Sequence, residues 1–313
     1  MQLKRVGNQT YIWKEHESFT INSRDNYFNW FARSTGGDVI ALVQTIQEEL
    51  TGQEISFKQA KHFLEEGSFE VVDVTNVPEK EPFSYYLKPY ETKFIEGREY
   101  LKEIRGLSDE TIDFFGEKGV LAQATKKTKD YYEPVIVFKS LDRQNEVIGA
   151  SLQGIRENHD LYERGRLKQI MRASDGMTGM HIDIGTPKRL VFVEAPIDLM
   201  SYYELKKDTL QDVRLVAMDG LKESTISRHV AELLFEMGEI KGEIESATIP
   251  TFLANLAEVT TFFKEGKHQD LITLAVDNDK AGHTFIERLT DKKIAFVSDL
   301  PPTTKSQEKM DWN

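Results

Sequence analysis

Short runs of consecutive apolar residues alternate, in the last two-fifths of the chain, with segments whose apolar positions recur every three or four residues. Arg189-Leu190-Val191-Phe192-Val193, Asp212-Val213-Arg214-Leu215-Val216-Ala217 and Leu271-Ile272-Thr273-Leu274-Ala275-Val276 predict buried strands. Between them, Thr225 to Met237 is amphipathic at the helical period. Thr251 to Glu265 places Phe252, Leu253, Leu256, Val259, Phe262 and Phe263 on apolar positions. This alternation predicts an α/β fold with a parallel sheet. Upstream, Glu133 to Phe138 and Val147 to Leu152 predict a hairpin turning at Asp142 to Asn145, and Tyr100 to Phe115 reads as helix, turn and helix with Ser108 as N-cap. The first seventy residues carry an aromatic cluster, a Gly36-Gly37 turn, a helix from Val39 to Ile46 capped by Asp38, and a second helix from Ser56 through Leu64. Val77-Pro78-Glu79-Lys80-Glu81-Pro82, charged and bounded by prolines, marks a linker. The expected organisation is a small α+β domain over 1–76, a second over 77–180 and the parallel-sheet domain over 181–313.

Two of the predicted strands end in carboxylates. The first runs into Glu194-Ala195-Pro196-Ile197-Asp198 and the second into Asp277-Asn278-Asp279-Lys280-Ala281-Gly282. Ligands bind open α/β sheets at the edge where parallel strands end and helices begin. If the two strands are neighbours, Glu194, Asp277 and Asp279 converge. Like charges about 4 Å apart repel by roughly 4 kcal/mol at an effective dielectric near 20, so such a cluster calls for a cation or for protons. An all-oxygen donor set suits Mg²⁺ or Mn²⁺ rather than zinc. Two readings of Asp277 and Asp279 stand side by side: ligands of such a cation, or loop and N-cap residues of a helix starting near Lys280. Asp198 likewise reads as a further acidic site position or as an exposed helix carboxylate. Asp219, before Gly220, either reaches the cluster or is a turn residue.

Composition narrows the setting. The 313 residues are 39% hydrophobic, enough for real cores. No run of eighteen apolar residues and no charged-then-apolar leader occurs, which predicts neither a membrane span nor a signal peptide. The absence of cysteine excludes disulfides and thiolate zinc sites and fits a cytoplasmic protein. A net charge of −12 opposes binding to a polyanion unless cations are concentrated locally. Arg156, Arg164, Arg166, Lys168 and Arg172 form such a run just before the first carboxylate strand, readable as a strand path or as a solvated face.

The strand ending in Glu with Asp four residues on, followed by a strand ending in Asp-x-Asp-x-Ala-Gly, resembles the Toprim fold over about Lys188 to Ser298. Toprim is the catalytic module of DnaG-type primases, topoisomerases and some nucleases. The resemblance implies that Glu194, Asp277 and Asp279 form a metal and acid/base site, with Asp198 at a further acidic position of the primase branch. Glu17-Ser18-Phe19-Thr20-Ile21 followed by Tyr27-Phe28-Asn29-Trp30-Phe31-Ala32-Arg33-Ser34-Thr35-Gly36-Gly37-Asp38-Val39-Ile40 resembles the primase zinc ribbon with its metal ligands gone. Trp30 and Arg33 stand at the two downstream cysteine positions, and Gln9 and Ile12 near the upstream ligand positions. No zinc is expected there. Packing of Tyr11, Trp13, Phe19, Phe28, Trp30 and Phe31 is expected to replace it, with His16 as a surface residue. Tyr100-Leu101 with Arg105-Gly106-Leu107-Ser108 is similar to the start of the primase catalytic core, where Arg105 either contacts a phosphate or fixes the turn.

These blocks, in primase order, together resemble Toprim-containing, primase-like proteins of plasmids and conjugative elements (LtrC type), an ending in Asp311-Trp312-Asn313 included. The resemblance implies a metal-dependent nucleotidyltransferase that makes short primers on single-stranded DNA. Its partners would be template, nucleoside triphosphates and a plasmid helicase or relaxase complex, with Arg105 and the basic run from Arg156 to Arg172 meeting template or nucleotide. The abrupt stop after Asn313 suggests a fragment lacking a helicase-binding extension. Two other readings are open: a non-catalytic DNA-binding accessory factor of a transfer complex, and a Toprim nuclease. The nuclease relatives usually carry an ATPase module, and no Gly-x-x-x-x-Gly-Lys-Ser/Thr is present.

Overall fold

The computed structural model describes residues 3–6, 9–24, 26–30, 35–66, 82–128, 131–240, 248–264, 268–302 and 310–313, and divides the chain into two compact units, 1–80 and 81–313. In the first unit five strands, β1 (Leu3–Arg5), β2 (Thr10–Trp13), β3 (His16–Asn22), β4 (Tyr27–Trp30) and β5 (Thr35–Gly37), form an antiparallel meander in chain order. Helices α1 (Val39–Thr51) and α2 (Phe57–Glu66) follow. Asp38 caps α1, its carboxylate accepting from the N–H groups of Ile40 and Ala41 at 2.9 Å. The pairing Phe19↔Trp30 and Ile21↔Phe28 sends every second side chain to one face. There Trp13, Phe19, Phe28 and Trp30 are buried against Ala41, Leu42 and Ile46 of α1.

Of the six aromatic residues expected in this core, Trp13, Phe19, Phe28 and Trp30 are buried. Tyr11 is only partly covered, and Phe31, like Arg33, lies outside the described residues. His16 is not a simple surface residue. Its ring packs edge-on 4.6 Å from Trp13 and 5.1 Å from Trp30, and Nε2 lies 3.2 Å from the Glu49 carboxylate on α1. Aromatic contacts of this kind contribute about 0.5–1.5 kcal/mol each beyond area burial.

Among its described residues the second unit contains two sheets. In the first, β6 (Glu91–Thr92), β7 (Leu121–Lys127), β8 (Tyr132–Leu141), β9 (Val147–Gly154) and β10 (Lys168–Ile170) pair antiparallel in the order β10-β9-β8-β7-β6. Before β7 lie α3 (Glu96–Glu99), a π-helical turn (Tyr100–Ile104) and α4 (Asp109–Glu117), which Ser108 caps by accepting from the Thr111 N–H. The second sheet takes β11 (His181–Ile184), β12 (Arg189–Val193), β13 (Val213–Ala217), β14 (Ile272–Leu274) and β15 (Val297–Ser298) in the order β11-β13-β12-β14-β15. All its pairs are parallel except that of the edge strand β11.

The helices of this sheet are α5 (Pro196–Lys206), α6 (Glu223–Glu236), α7 (Ile249–Val259) and α8 (Lys280–Asp291). Helix α7 ends at Val259 rather than near Glu265, so Phe262 and Phe263 pack on the core from beyond its end, their rings meeting edge-on at 5.0 Å. β12 shows why its sequence is apolar throughout. Leu190 and Phe192 face one cluster with Val230, Leu233, Leu253 and Leu289, while Val191 and Val193 face the other with Leu199, Met200 and Leu215. The second cluster also takes Ile136 and Phe138 from β8, so the residues to either side of position 180 share one core.

One charged residue sits inside β13. The Arg214 guanidinium, 8% exposed, donates to Asp183 on β11 at 2.7 and 2.9 Å and to Glu236 on α6 at 3.0 Å, tying the edge strand to the sheet. Close by, His229 of α6 is wholly buried, its Nε2 donating to the Thr178 carbonyl at 2.7 Å, and its ring lies 4.9 Å from that of His181. Burial, then the neighbouring His181 and Arg214, holds the His229 pKa well below the ordinary value of 6.5; burial also lowers His181.

Both histidines are thus neutral in the fold and titrate near 6.5 only when unfolded, so the unfolded state binds the extra protons. Their contribution is complete above pH ~6.5 and is lost below it, by up to about 1.4 kcal/mol per pH unit for each histidine. Hydrogen-exchange protection of the β13 amides is expected to fall between pH 6.5 and 5 in the native chain. It should fall less steeply in His229→Gln, which keeps a donor for the Thr178 carbonyl; equal slopes would refute this account.

Candidate active site

Glu194 and Asp277 are brought together by the register of β12 and β14. Val191 pairs with Thr273 and Phe192 with Leu274, and the Ala275 N–H continues the ladder by donating to the Phe192 carbonyl at 2.8 Å. Both chains therefore leave the sheet on the same edge. On the other side of β12, Val193 pairs with Ala217, after which the N–H groups of Met218 and Gly220 donate to the carbonyls of Val193 and Glu194 at 3.0 and 2.9 Å. The strand order β13-β12-β14 sets Asp219, Glu194 and Asp277 along this edge in that spatial order.

A cavity of ≈ 380 Å³ opens at the edge. Its carboxylates are Glu194, Asp198, Asp219, Asp277 and Asp311, and its cationic wall is Arg105, Arg164 and Lys168. Asp277 is 5% exposed. Asp198 is not an exposed helix carboxylate: from the first turn of α5 it accepts from the Ala195 N–H at 3.1 Å. Burial, followed by the charges of Asp277 and Asp311, pushes its pKa up to about 7, with Lys168 acting the other way and Glu194 adding to the rise. Burial disfavours the ionised carboxyl, and the neighbouring carboxylates add to that. Burial also raises Asp219, opposed by the Ser151 hydroxyl and by Lys222.

Asp279 is placed differently. It is the N-cap of α8, its Oδ1 accepting from the Gly282 N–H at 2.9 Å, and it is not among the residues lining the cavity. Among the described residues no group of three or more His, Asp or Glu side chains is arranged to hold a metal ion. Capping explains part of this, because α5 and α8 begin at this edge and Asp198 and Asp279 serve their N-termini. The all-oxygen character of Glu194 and Asp277 still fits a hard divalent cation of the kind that takes one or two carboxylates and completes its shell with water and phosphate oxygens.

The basic residues divide as well. Arg105 stacks on Tyr100, donates to the Tyr100 hydroxyl at 2.8 Å and to the Asn313 side chain at 3.0 Å, and faces the cavity. Arg164 and Lys168 are exposed on its rim. Arg166 instead stacks over Tyr100 and binds the Ile155 carbonyl, Arg156 pairs with Glu96 at 3.2 Å, and Arg172 is exposed outside the lining.

The final residues belong to the site. Asn278 and Met310 form a β-bridge, the buried Trp312 indole donates to the Ala275 carbonyl at 2.8 Å, and the Asn313 amide donates to the Arg105 carbonyl and to Ser201, both at 2.9 Å. Asp311 is thereby held at the cavity. Its place follows from contacts more than thirty residues away in sequence, which no local pattern signals.

No protein-family profile matches the chain. An uncharacterized plasmid protein of Bacillus anthracis is 28% identical over 322 residues, covering 99% of this chain and 82% of the relative. Among solved structures, the primase fragment of the bacteriophage T7 primase-helicase protein shares 13% identity at a TM-score of 0.37, over 91% of this chain and 85% of that one. The zinc-binding and RNA polymerase domains of Aquifex aeolicus primase share 14% identity at a TM-score of 0.36, over 96% of this chain and 75% of that one.

The Asp277 loop depends on a close approach that only glycine permits. A Cβ on Gly282 would sit 2.1 Å from the Asp277 carbonyl oxygen, whereas one on Gly116 of α4 would meet nothing within 4 Å. Gly282→Ala is expected to cost about 2 kcal/mol, lowering the Tm by roughly 5 °C. Gly116→Ala should gain about 0.5–1 kcal/mol from reduced freedom of the unfolded chain. Calorimetry of the two variants tests the opposite signs.

Proposed function

We propose that this chain is a primase-like nucleotidyltransferase that synthesises short primers on single-stranded DNA with the help of Mg²⁺ or Mn²⁺. The observation that carries the reading is the meeting of Glu194 and Asp277, from neighbouring parallel strands, in one cavity walled by Arg105, Arg164 and Lys168. A carboxylate pair opposite cations is what a triphosphate with its divalent cation requires. The primase-like order of the sequence blocks selects this chemistry among Toprim activities. The B. anthracis relative adds the plasmid setting.

In this mechanism Glu194 and Asp277 orient the reacting groups, and Arg105, Arg164 and Lys168 bind phosphate oxygens. A bound divalent cation would neutralise the triphosphate and favour ionisation of the primer 3′-hydroxyl. Asp198 and Asp279 hold the starts of α5 and α8, and so the backbone from which Glu194 and Asp277 project. The overall charge of −12 does not oppose this, since local cations decide where a polyanion settles.

Two observations favour a second reading, a single-stranded DNA-binding accessory factor of a transfer complex. No group of three metal-holding side chains is formed among the described residues, and the Asp279 carboxylate is engaged in capping.

Primer synthesis on single-stranded DNA with labelled nucleotides and Mn²⁺ or Mg²⁺ separates the two. Metal-dependent products from the native chain, reduced at least a hundredfold in Glu194→Gln and in Asp277→Asn while both variants keep the native Tm, are expected. DNA retention without products from the native chain would establish the accessory role.

A further inference from the structure

β9 is read differently on its two faces. Ala150 and Leu152 belong to the apolar cluster of the antiparallel sheet, and Ser151, Leu152 and Gln153 border the cavity, Ser151 and Gln153 with polar side chains on the alternate face. Ser151 is 9% exposed and Gln153 3% exposed. Gln153 donates to the Gly154 carbonyl at 3.1 Å, but the Ser151 Oγ is buried with no hydrogen-bond partner. A small apolar residue would fill that position without leaving a buried hydroxyl unsatisfied, a state that costs about 1–3 kcal/mol.

Asp219 stands beside it. Its backbone is in the left-handed region at φ +52°, a conformation that costs a non-glycine residue roughly 1 kcal/mol or more and that aims its side chain off the end of β13. An aspartate before glycine ordinarily binds the N–H groups of its own turn. Here burial raises the carboxylate's pKa and the nearby Ser151 hydroxyl and Lys222 charge oppose the rise, while the Ser151 Oγ is left without a hydrogen bond of ordinary geometry. A buried donor and a carboxylate acceptor therefore flank one point of the cavity, one strand away from Glu194. At the usual spacing of about 4.8 Å between strands, that point is adjacent to the strand end that carries Glu194.

We infer that Ser151 and Asp219 form a hydroxyl-reading subsite that takes the ribose hydroxyls of a bound nucleoside triphosphate. Ser151 donates to the sugar oxygen and Asp219 accepts its proton, as acidic residues do toward ribose in other nucleotide sites. The pair is a specificity determinant rather than part of the reaction. The inference rests on the proposed nucleotidyltransferase reading for the identity of the ligand, and deepens it by assigning the sugar end.

Equilibrium dialysis with labelled ATP and 2′,3′-dideoxyATP in Mg²⁺, run beside the primer assay, tests it. The native chain is expected to bind ATP about tenfold or more tightly than the dideoxy form, one charge-assisted hydrogen bond being worth that much. Ser151→Ala and Asp219→Asn should each weaken ATP toward the affinity of the dideoxy form while leaving dideoxyATP binding within about twofold. A general loss of structure would lower both nucleotides together and would not compress the ratio. Equal affinities in the native chain, or a ratio preserved in both variants, overturns the subsite alone if primers are still made. Binding with the expected ratio but no primer synthesis supports the subsite and sinks the polymerising activity. Absence of any nucleotide binding overturns both.

Discussion

The registered pairing of β12 between β13 and β14 is the constraint on which the site depends. Three parallel strands ending together deliver Asp219, Glu194 and Asp277 to one edge, and the same strands are buried on both faces by two apolar clusters. The hydrophobic cores thus sustain an electrostatic arrangement that would not assemble in isolation. Five carboxylates around one cavity repel one another; burial first, and then the charges of Asp277, Asp311 and Glu194, raise the Asp198 pKa. Stability of the unit must come from the core and from edge contacts such as Arg214 with Asp183.

The helix starts at this edge give the acidic residues two tasks. Asp198 and Asp279 serve the N-termini of α5 and α8, while Glu194 and Asp277 project from the strand ends themselves. Backbone N–H groups take up carboxylate oxygens here at both helix starts. The contact of Gly282 with the Asp277 carbonyl makes the arrangement tight, because α8 can begin close to the strand end only where no side chain intervenes.

The cationic component is modest in number and concentrated in place. Many of the arginines of the second unit are engaged structurally: Arg98 with Asp109 and Asp113, Arg214 with Asp183 and Glu236, and Arg228 with Asp175 and Glu232. Arg105, Arg164 and Lys168 face the cavity. An acidic chain can in this way present a short positive wall opposite its own carboxylates.

Period and capping chemistry in the sequence determined the strands β8, β9, β12 and β13, the helix starts at Asp38 and Ser108, and the coincidence of carboxylates with strand ends. These are local properties, carried by side-chain alternation and by hydrogen bonds within four residues. It left Asp279 open between ligand and cap, since both uses put an aspartate immediately before a helix. Only the tertiary structure decided that β12 neighbours β14, that Arg166 turns to Tyr100 while Arg164 faces the cavity, and that Ser151 and Asp219, from different sheets, line one cavity. It also decided where Asp311 lies, through Trp312 and Asn313 docking on Ala275, Arg105 and Ser201. Strand order, and contacts between residues dozens or hundreds of positions apart, are set by how whole faces bury one another, and no window of sequence contains that information.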